Sequence, residues 1–452
     1  MQLPDALLAS LQGLPGYHLA AFQQAHAAAA PVSVRLHPSK AGRLQLPLAG
    51  SVPWAQHGHY LQYRPSFAQD PAWHAGAYYV QEASSMAIEQ AFLQHRPSGP
   101  LRVLDLCAAP GGKTTHLLSL LNTETDILVT NEVIQSRANI LLENVLKWGI
   151  PAAIVTNNDP ADLGRLTGTF DVLLVDAPCS GSGLFRRDAE AIKEWSPANV
   201  QLCSQRQQRI LADVLPALKE DGVLIYATCS YSFEEDEHIA DWLYQLSNWE
   251  PLSIEFPSDS GPVLSSSPRQ GHPCYRFYPH HVQGEGFFLA AFRKKQSADT
   301  FRAKPARAAG VPEPLRREMS QWLLPSAPYQ LYQHEQQLYA MPPAVIDFFQ
   351  TTRQLLKVRR AGLLVGEWQR NGLQPDHALA LSTWAHPDLP TSDVDDELAR
   401  QYLRKEAIMP TGAAPGWSMV SWQGHRLGWM KNLGNRTNNY YPKEWRLRTG
   451  GD

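Results

Sequence analysis

The chain has 452 residues, 44% hydrophobic and 18% charged, which suits a core-forming protein and excludes wholesale disorder. At roughly 150 residues per domain, about three domains are expected. Lys and Arg number 40 against 43 Asp and Glu, a net charge of −3, so a uniformly basic nucleic-acid coat is excluded. No apolar run reaches about 18 residues, so no membrane-spanning helix is expected. The opening stretch carries Asp5 and no basic start, unlike a secretion signal. The five cysteines (107, 179, 203, 229 and 274) form no CxxC pair, so neither a zinc site nor a disulfide framework is expected. Such a sparse, odd set fits a reducing cytoplasm.

In residues 1–75, His37-Pro38, Leu46-Pro47 and Val52-Pro53 break short apolar stretches, and a small α+β unit is expected. From 76 to 295 strand-like and helix-like segments alternate. The strand candidates are Arg102–Leu106, Ile127–Asn131, Ala152–Val155, Asp171–Asp176 and Val223–Thr228. Between the second and third, Ile134, Ala138, Leu141, Leu142 and Val145 form one helical stripe. Ser196-Pro197 reads as N-cap and first-turn proline, and Ser232 to Glu235 as a capping box. This alternation predicts an α/β fold with a doubly wound, mostly parallel sheet.

Residues 296–314 have only Phe301 and Val311 as sizeable hydrophobes and read as a linker. The remainder, 315–452, is rich in Trp and Tyr, with β-like stretches such as Trp417–Trp422, as one or two further small domains would be. Charge is uneven. Arg293, Lys294, Lys295, Arg302, Lys304, Arg307, Arg316 and Arg317 cluster around the linker. Arg426, Lys431, Arg436, Lys443, Arg446 and Arg448 are interleaved with Trp429, Tyr440, Tyr441 and Trp445 near the end. Either cluster could be a plain solvated face. The aromatic interleaving tilts the second towards single-stranded nucleic acid, where bases stack and phosphates need cations. Acid is gathered in Glu234–Glu237 and Asp393–Glu397.

Three segments carry chemistry. Leu104-Asp-Leu-Cys-Ala-Ala-Pro-Gly-Gly-Lys-Thr114 follows the first strand and opens a helix, so its backbone can approach a ligand there. A phosphate-binding loop would need glycine where Cys107 stands, and G-x-G-x-x-G is absent. A nucleoside-type cofactor across the carboxyl edge of the sheet remains. Glu132, Asp159 and Asp176 close the second, third and fourth strands, on the edge where open α/β sheets bind ligands. An acid at the second position can chelate both ribose hydroxyls. One such Asp is an ordinary turn residue, but three converge here.

The other two segments are Asp176-Ala-Pro-Cys-Ser-Gly181 and Thr228-Cys-Ser230. Free cysteines are usually inert small hydrophobes. Cys179 and Cys229 instead lie just past neighbouring strand ends, and a helix N-terminus after Cys229 would favour its thiolate. Cys107, Cys203 and Cys274 have no such setting.

Together, LDLCAAPGGKT, DAPCSGSG and YATCS resemble the Sun-type RNA (cytosine-5) methyltransferases, a likeness covering roughly residues 30–293 and including GAYYVQEASSM and GFFLAAF. The ending LGWMKNLGNRTNNYYPKEWRLR is similar to the PUA-like RNA-binding domain of the small-subunit ribosomal RNA methyltransferase F type. The resemblance implies a Rossmann-like methyltransferase core, an RNA-binding N-terminal unit, a ferredoxin-like module at 315–375 and a β-rich PUA-like domain at 376–452. It implies S-adenosylmethionine as cofactor, cradled by Cys107, Ala108, Ala109, Pro110, Gly111, Gly112 and Lys113. Glu132 would take the ribose hydroxyls and Asp159 the adenine, although Pro160 follows where the family usually has glycine. Arg137 sits where a family arginine often occurs, with a structural ion pair as the plainer role. Arg35-Leu36-His37 stands where relatives tend to show Arg-Ile-Asn.

The implied reaction is methylation of cytosine carbon 5 in RNA. Cys229 is the attacking thiolate, Asp176 the partner of ring nitrogen 3, and Cys179 the residue of elimination and release. An unpaired cytosine reaches such a site most cheaply. No metal is implied. The expected partner is small-subunit ribosomal RNA, with transfer RNA as the alternative substrate and a non-catalytic ribosome-assembly factor as the alternative class. A DNA methyltransferase would attack from the cysteine after proline and lack the second. A cytoplasmic monomer with no membrane partner is expected, with RNA binding concentrated in residues 424–452.

Overall fold

The computed structural model describes residues 2–448 apart from 43, 247, 258–260, 268–270, 297–298, 303–310 and 371. Lys304 and Arg307 of the linker cluster therefore lie outside the described residues. The centre is a ten-stranded sheet. Five of its strands are parallel, side by side in the order Ala153–Thr156, Ile127–Asn131, Arg102–Asp105, Phe170–Asp176, Leu218–Thr228. Numbered along the chain this is 3-2-1-4-5, the doubly wound order, and it reverses between the first and fourth strands. That reversal opens a crevice at their carboxyl ends.

These segments are strands because they are apolar runs that bury both faces. Val103, Leu128, Val155, Val172 and Ile225 fill one side of the sheet, while Leu104, Val129, Ile154, Leu173 and Leu224 fill the other. Each such side chain contributes about 1.5–3 kcal/mol of transfer free energy. Helices cover both faces. The helix Gln135–Trp148 buries Ala138, Leu141 and Val145 as its stripe requires, whereas Ile134 precedes its first turn and is exposed. Ser196 caps the helix Pro197–Val214 by accepting from the Asn199 N–H at 3.1 Å.

The sheet continues antiparallel with Phe287–Lys294, which pairs with Leu218–Thr228, and then with Pro273–Phe277 and Val263–Ser266. At the opposite edge Val358–Ala361 pairs antiparallel with Ala153–Thr156. A strand from beyond the linker is thus stitched to the core.

The N-terminal unit is a four-stranded sheet ordered Leu48–Ser51, Gly58–Leu61, Val32–Leu36, Tyr78–Val80. It docks through Arg35, which is fully buried, stacks 4.4 Å over Trp148 and donates to Gln81, Ser119 and Thr115. Two further four-stranded sheets follow the core. One is ordered Gln330–His334, Gln337–Met341, Leu363–Gln369, Gly372–Pro375, with the helix Pro343–Thr352 in the same module. The other is Thr391–Asp393, Gly416–Trp422, His425–Asn432, Thr437–Asn439. Among the described residues no helix is long and apolar enough to cross a membrane.

Three local expectations need correction. Ser232 caps nothing with its side chain; Phe233–Glu235 is a 3-10 turn, and the next helix, Glu237–Gln245, starts after Asp236. Trp429 and Tyr441 are core residues, not stacking platforms: Trp429 donates to the Asp376 carbonyl at 2.9 Å, and Tyr441 packs edge-on against His377 and Tyr402. Lys294 is also buried, capping the Leu215 and Leu218 carbonyls. Arg436, Lys443, Arg446 and Arg448 remain exposed.

Candidate active site

The crevice between the first and fourth parallel strands is lined by the segments that follow them. After Arg102–Asp105 the chain turns through Leu106–Pro110 into the helix Gly112–Leu120. Gly111 precedes that helix at φ 115°, a conformation closed to other residues, and an added Cβ would press on Asn144 at 3.3 Å. The loop is pinned from outside: the Ala108 N–H donates to the Asn131 carbonyl at 2.9 Å, and Arg137 donates to the Ala109 carbonyl at 2.9 Å. Arg137 also approaches Glu132 at 3.5 Å.

Glu132 is buried at the end of the second strand, with Oε1 accepting from the Ile134 N–H at 2.9 Å. Asp105, which ends the first strand, is fully buried. Its Oδ2 accepts from Thr114 at 2.6 Å, while Oδ1 has no hydrogen-bond partner among the described residues. Burial pushes the Asp105 carboxyl up to about 7, and the charge of Asp176 adds to that. Cys107 lies among these acids, and burial drives its thiol far above the ordinary value.

Asp176 closes the fourth strand and accepts from Lys113 Nζ at 2.7 Å. Burial works against this ammonium, but the charge and hydrogen bond of Asp176 outweigh it and hold Lys113 above its usual value. Lys113 also sits 5.1 Å over the Phe287 ring. The helix opened by the glycine loop therefore delivers a cation to the acid beside the two cysteine segments.

Cys179 and Cys229, fifty positions apart in sequence, bring their sulfurs to 2.9 Å as free thiols. Close backbone packing makes this possible. The Gly183 N–H donates to the Cys229 carbonyl at 2.8 Å, and a Cβ on Gly183 would lie 2.4 Å from the Gly286 carbonyl oxygen. The hydrogen bond to Cys229, then burial, holds the Cys179 thiol well above its ordinary value.

Asp159 follows the end of the third parallel strand, Ala153–Thr156. It is exposed and caps the short helix Pro160–Gly164, accepting from the Ala161 N–H at 3.1 Å.

Glu235 went unnoticed in the sequence because it fitted a capping pattern. It is fully buried and accepts from the Ser180 N–H at 2.7 Å, the Ser180 hydroxyl at 2.6 Å and the Ser230 hydroxyl at 2.6 Å. One carboxylate thereby ties together the residues that follow both cysteines. Burial raises Glu235 above the usual carboxylate range, and its serine partners pull it back only in part. The sequence signal was an acidic run beginning five positions after Cys229.

A doubly wound sheet with a glycine loop after its first strand, acids at its carboxyl edge and paired cysteines past the fourth and fifth strands defines a Rossmann-type RNA methyltransferase. The chain belongs to the 16S rRNA methyltransferase RsmB/F family, whose model matches residues 93–293. Residues 3–83, 318–382 and 390–447 match the N-terminal domain of 16S rRNA methyltransferase RsmF, its first C-terminal domain and its PUA domain. The chain is 31% identical over 417 residues to ribosomal RNA small subunit methyltransferase F of Psychromonas ingrahamii, covering 87% of this chain and 85% of that one. It is 30% identical over 410 residues to the protein of that name in Aeromonas salmonicida, covering 87% and 84%. A solved methyltransferase homolog from Pyrococcus horikoshii superimposes with a TM-score of 0.50 at 27% identity, over 65% of this chain and all of that one (100%). NSun6 from the same organism, solved with SFG, gives a TM-score of 0.54 at 18% identity, over 65% of this chain and 99% of that one.

Proposed function

We propose that the chain methylates carbon 5 of cytosine in small-subunit ribosomal RNA, with S-adenosylmethionine as donor. The observation that carries this reading is the 2.9 Å pairing of Cys179 with Cys229 at the strand ends beside the Lys113–Asp176 ion pair. The crevice fits the cofactor. Asp105 leaves a buried carboxylate oxygen without a partner, Glu132 offers an acid at the second strand end, and only small residues occupy the Ala108–Gly112 turn. Cys107 to Lys113 would cradle it with backbone, Glu132 would take the ribose hydroxyls, and Asp159 would contact the adenine. NSun6, one of the solved neighbours, carries SFG, an analogue of S-adenosylmethionine. When bound, S-adenosylmethionine supplies an electrophilic methyl group.

Carbon 5 of cytosine is a weak nucleophile, so the base must first be activated. The Cys229 thiolate adds to carbon 6, and the electron pair moves to carbon 5. Asp176, oriented by Lys113, accepts a hydrogen bond from a proton taken up at nitrogen 3 from solvent, so the ring receives the thiolate's electron pair without negative charge building there. Before addition, Cys179 and Cys229 share a hydrogen bond between their sulfurs, and that contact is the largest influence raising the Cys179 thiol. Once the Cys229 sulfur is bonded to carbon 6, it no longer competes for the Cys179 proton, which passes to solvent water. The Cys179 thiolate then takes the carbon 5 proton, the carbon–hydrogen electron pair re-forms the carbon 5–carbon 6 double bond, and the carbon–sulfur bond breaks so that the Cys229 thiolate returns. Free thiols at both positions fit a reducing cytoplasm.

Bisulfite sequencing of RNA from a strain lacking the gene tests the substrate. Loss of a methylated cytosine in 16S rRNA, restored by the wild-type gene, is expected. Loss confined to transfer RNA would overturn the ribosomal assignment.

A further inference from the structure

A cavity of about 710 Å³ lies far from the cysteines in sequence, where three parts of the molecule meet. Ser39, Lys40 and Ala75 of the N-terminal unit form one wall, Leu381 and Thr383 of the next module another, and the Gln423–Arg426 turn of the last sheet the third. Its volume is that of a small-molecule site.

The lining charge is unbalanced. Lys40 Nζ donates to the Lys147 carbonyl at 2.8 Å and the Ala75 carbonyl at 3.3 Å, which uses two of the three ammonium hydrogens. Arg426 has one long contact, to the Ala385 carbonyl at 3.5 Å. Neither forms an ion pair with a described residue. His425, only 6% exposed, lines the same cavity with Nε2 lacking a hydrogen-bond partner. The one lining carboxylate, Asp393, is exposed at the rim and already accepts from Ser421 at 2.8 Å.

Taking cations from water without a counter-charge is costly, and here two like charges also repel. Burial, with the charge of Arg426 adding to it, holds Lys40 down to about 7. Burial lowers Arg426 as well, and lowers His425 although the charge of Asp70 opposes it in part. A bound anion would relieve both costs, and the free ammonium hydrogen, the guanidinium fork and the imidazole edge are donors suited to phosphate oxygens.

We propose that this three-way cavity binds the phosphate of a nucleotide, either within an RNA strand or free. In the RNA case it deepens the function proposed above by naming a contact remote from the reacting base.

The test uses the full chain, with inorganic phosphate followed by 31P NMR and a labelled single-stranded RNA followed by anisotropy at several salt concentrations. Saturable phosphate binding is expected, weakened about tenfold or more in Arg426→Gln. Lys40→Gln is the companion variant, but its carbonyl contacts also hold the N-terminal unit, so Arg426→Gln carries the decision and its melting temperature is recorded. If RNA is the source of the phosphate, Arg426→Gln also weakens RNA binding and lowers the salt slope by about one. If the ligand is free, RNA binding is unchanged while phosphate binding falls. Absence of saturable phosphate binding, or binding that Arg426→Gln leaves intact, would overturn the proposal. A parallel assay of wild-type methylation of 16S rRNA separates this site from the catalytic reading: either can fail while the other holds.

Discussion

Glu235 grips Ser180 twice, through its backbone N–H at 2.7 Å and its hydroxyl at 2.6 Å, across 55 positions of sequence. The same carboxylate accepts from Ser230 at 2.6 Å. Cys179 and Cys229 are the immediate neighbours of these serines, so their separation is set by a group that touches neither sulfur. Glu235→Gln keeps the shape but replaces an acceptor by a donor. It should cost about 2 kcal/mol of stability in urea unfolding. It should also lower kcat for methyl transfer tenfold or more while leaving cofactor affinity unchanged, which a purely structural role would not do selectively. Unchanged kcat would show that the serine clamp does not set the cysteine geometry.

Asp105 makes a prediction with a definite pH sign. Its folded value, about 7, lies above the ordinary carboxylate range, because burial disfavours the charged form. Between about pH 4 and 7 the folded state therefore holds a proton that the unfolded state releases, and stability falls as pH rises through that window. Asp105→Asn removes this titration. Relative to wild type, the variant should gain up to about 4 kcal/mol on going from pH 4 to pH 7. Denaturation curves at those two values check it; a pH-independent difference would mean that Asp105 titrates normally.

Trp429 separates core from platform. Its ring is 1% exposed and packs on Trp322 and Trp417. Trp429→Ala should destabilise the last domain by about 3–5 kcal/mol. Where the variant remains folded, its RNA affinity should stay near wild type. A stable variant with weakened RNA binding would restore the stacking role suggested by the aromatic spacing.

The parallel sheet was legible because each of its strands is a local apolar run between turn signals. The glycine loop, the acids at strand ends and the two cysteines were legible for the same local reason. Contacts between distant segments were not. Glu235 followed Ser232 at capping-box spacing, and nothing local said that Ser180 would claim its carboxylate. Val358–Ala361 is a short, basic stretch whose place at the sheet edge depends on the partner strand Ala153–Thr156. Trp429 and Tyr441 alternate with basic residues as a stacking surface would, yet their faces are fixed by Asp376, His377 and Tyr402.

The central claim is the division of labour between Cys229 and Cys179, and covalent trapping tests it most directly. Wild type, Cys229→Ala and Cys179→Ala are incubated with 16S rRNA and S-adenosylmethionine and then run under denaturing conditions. Cys179→Ala should accumulate a protein–RNA adduct resistant to denaturation, because addition proceeds and release does not. Cys229→Ala should show neither adduct nor methylation. Methyl transfer by Cys229→Ala, or an adduct formed only when Cys179 is present, would contradict the assignment.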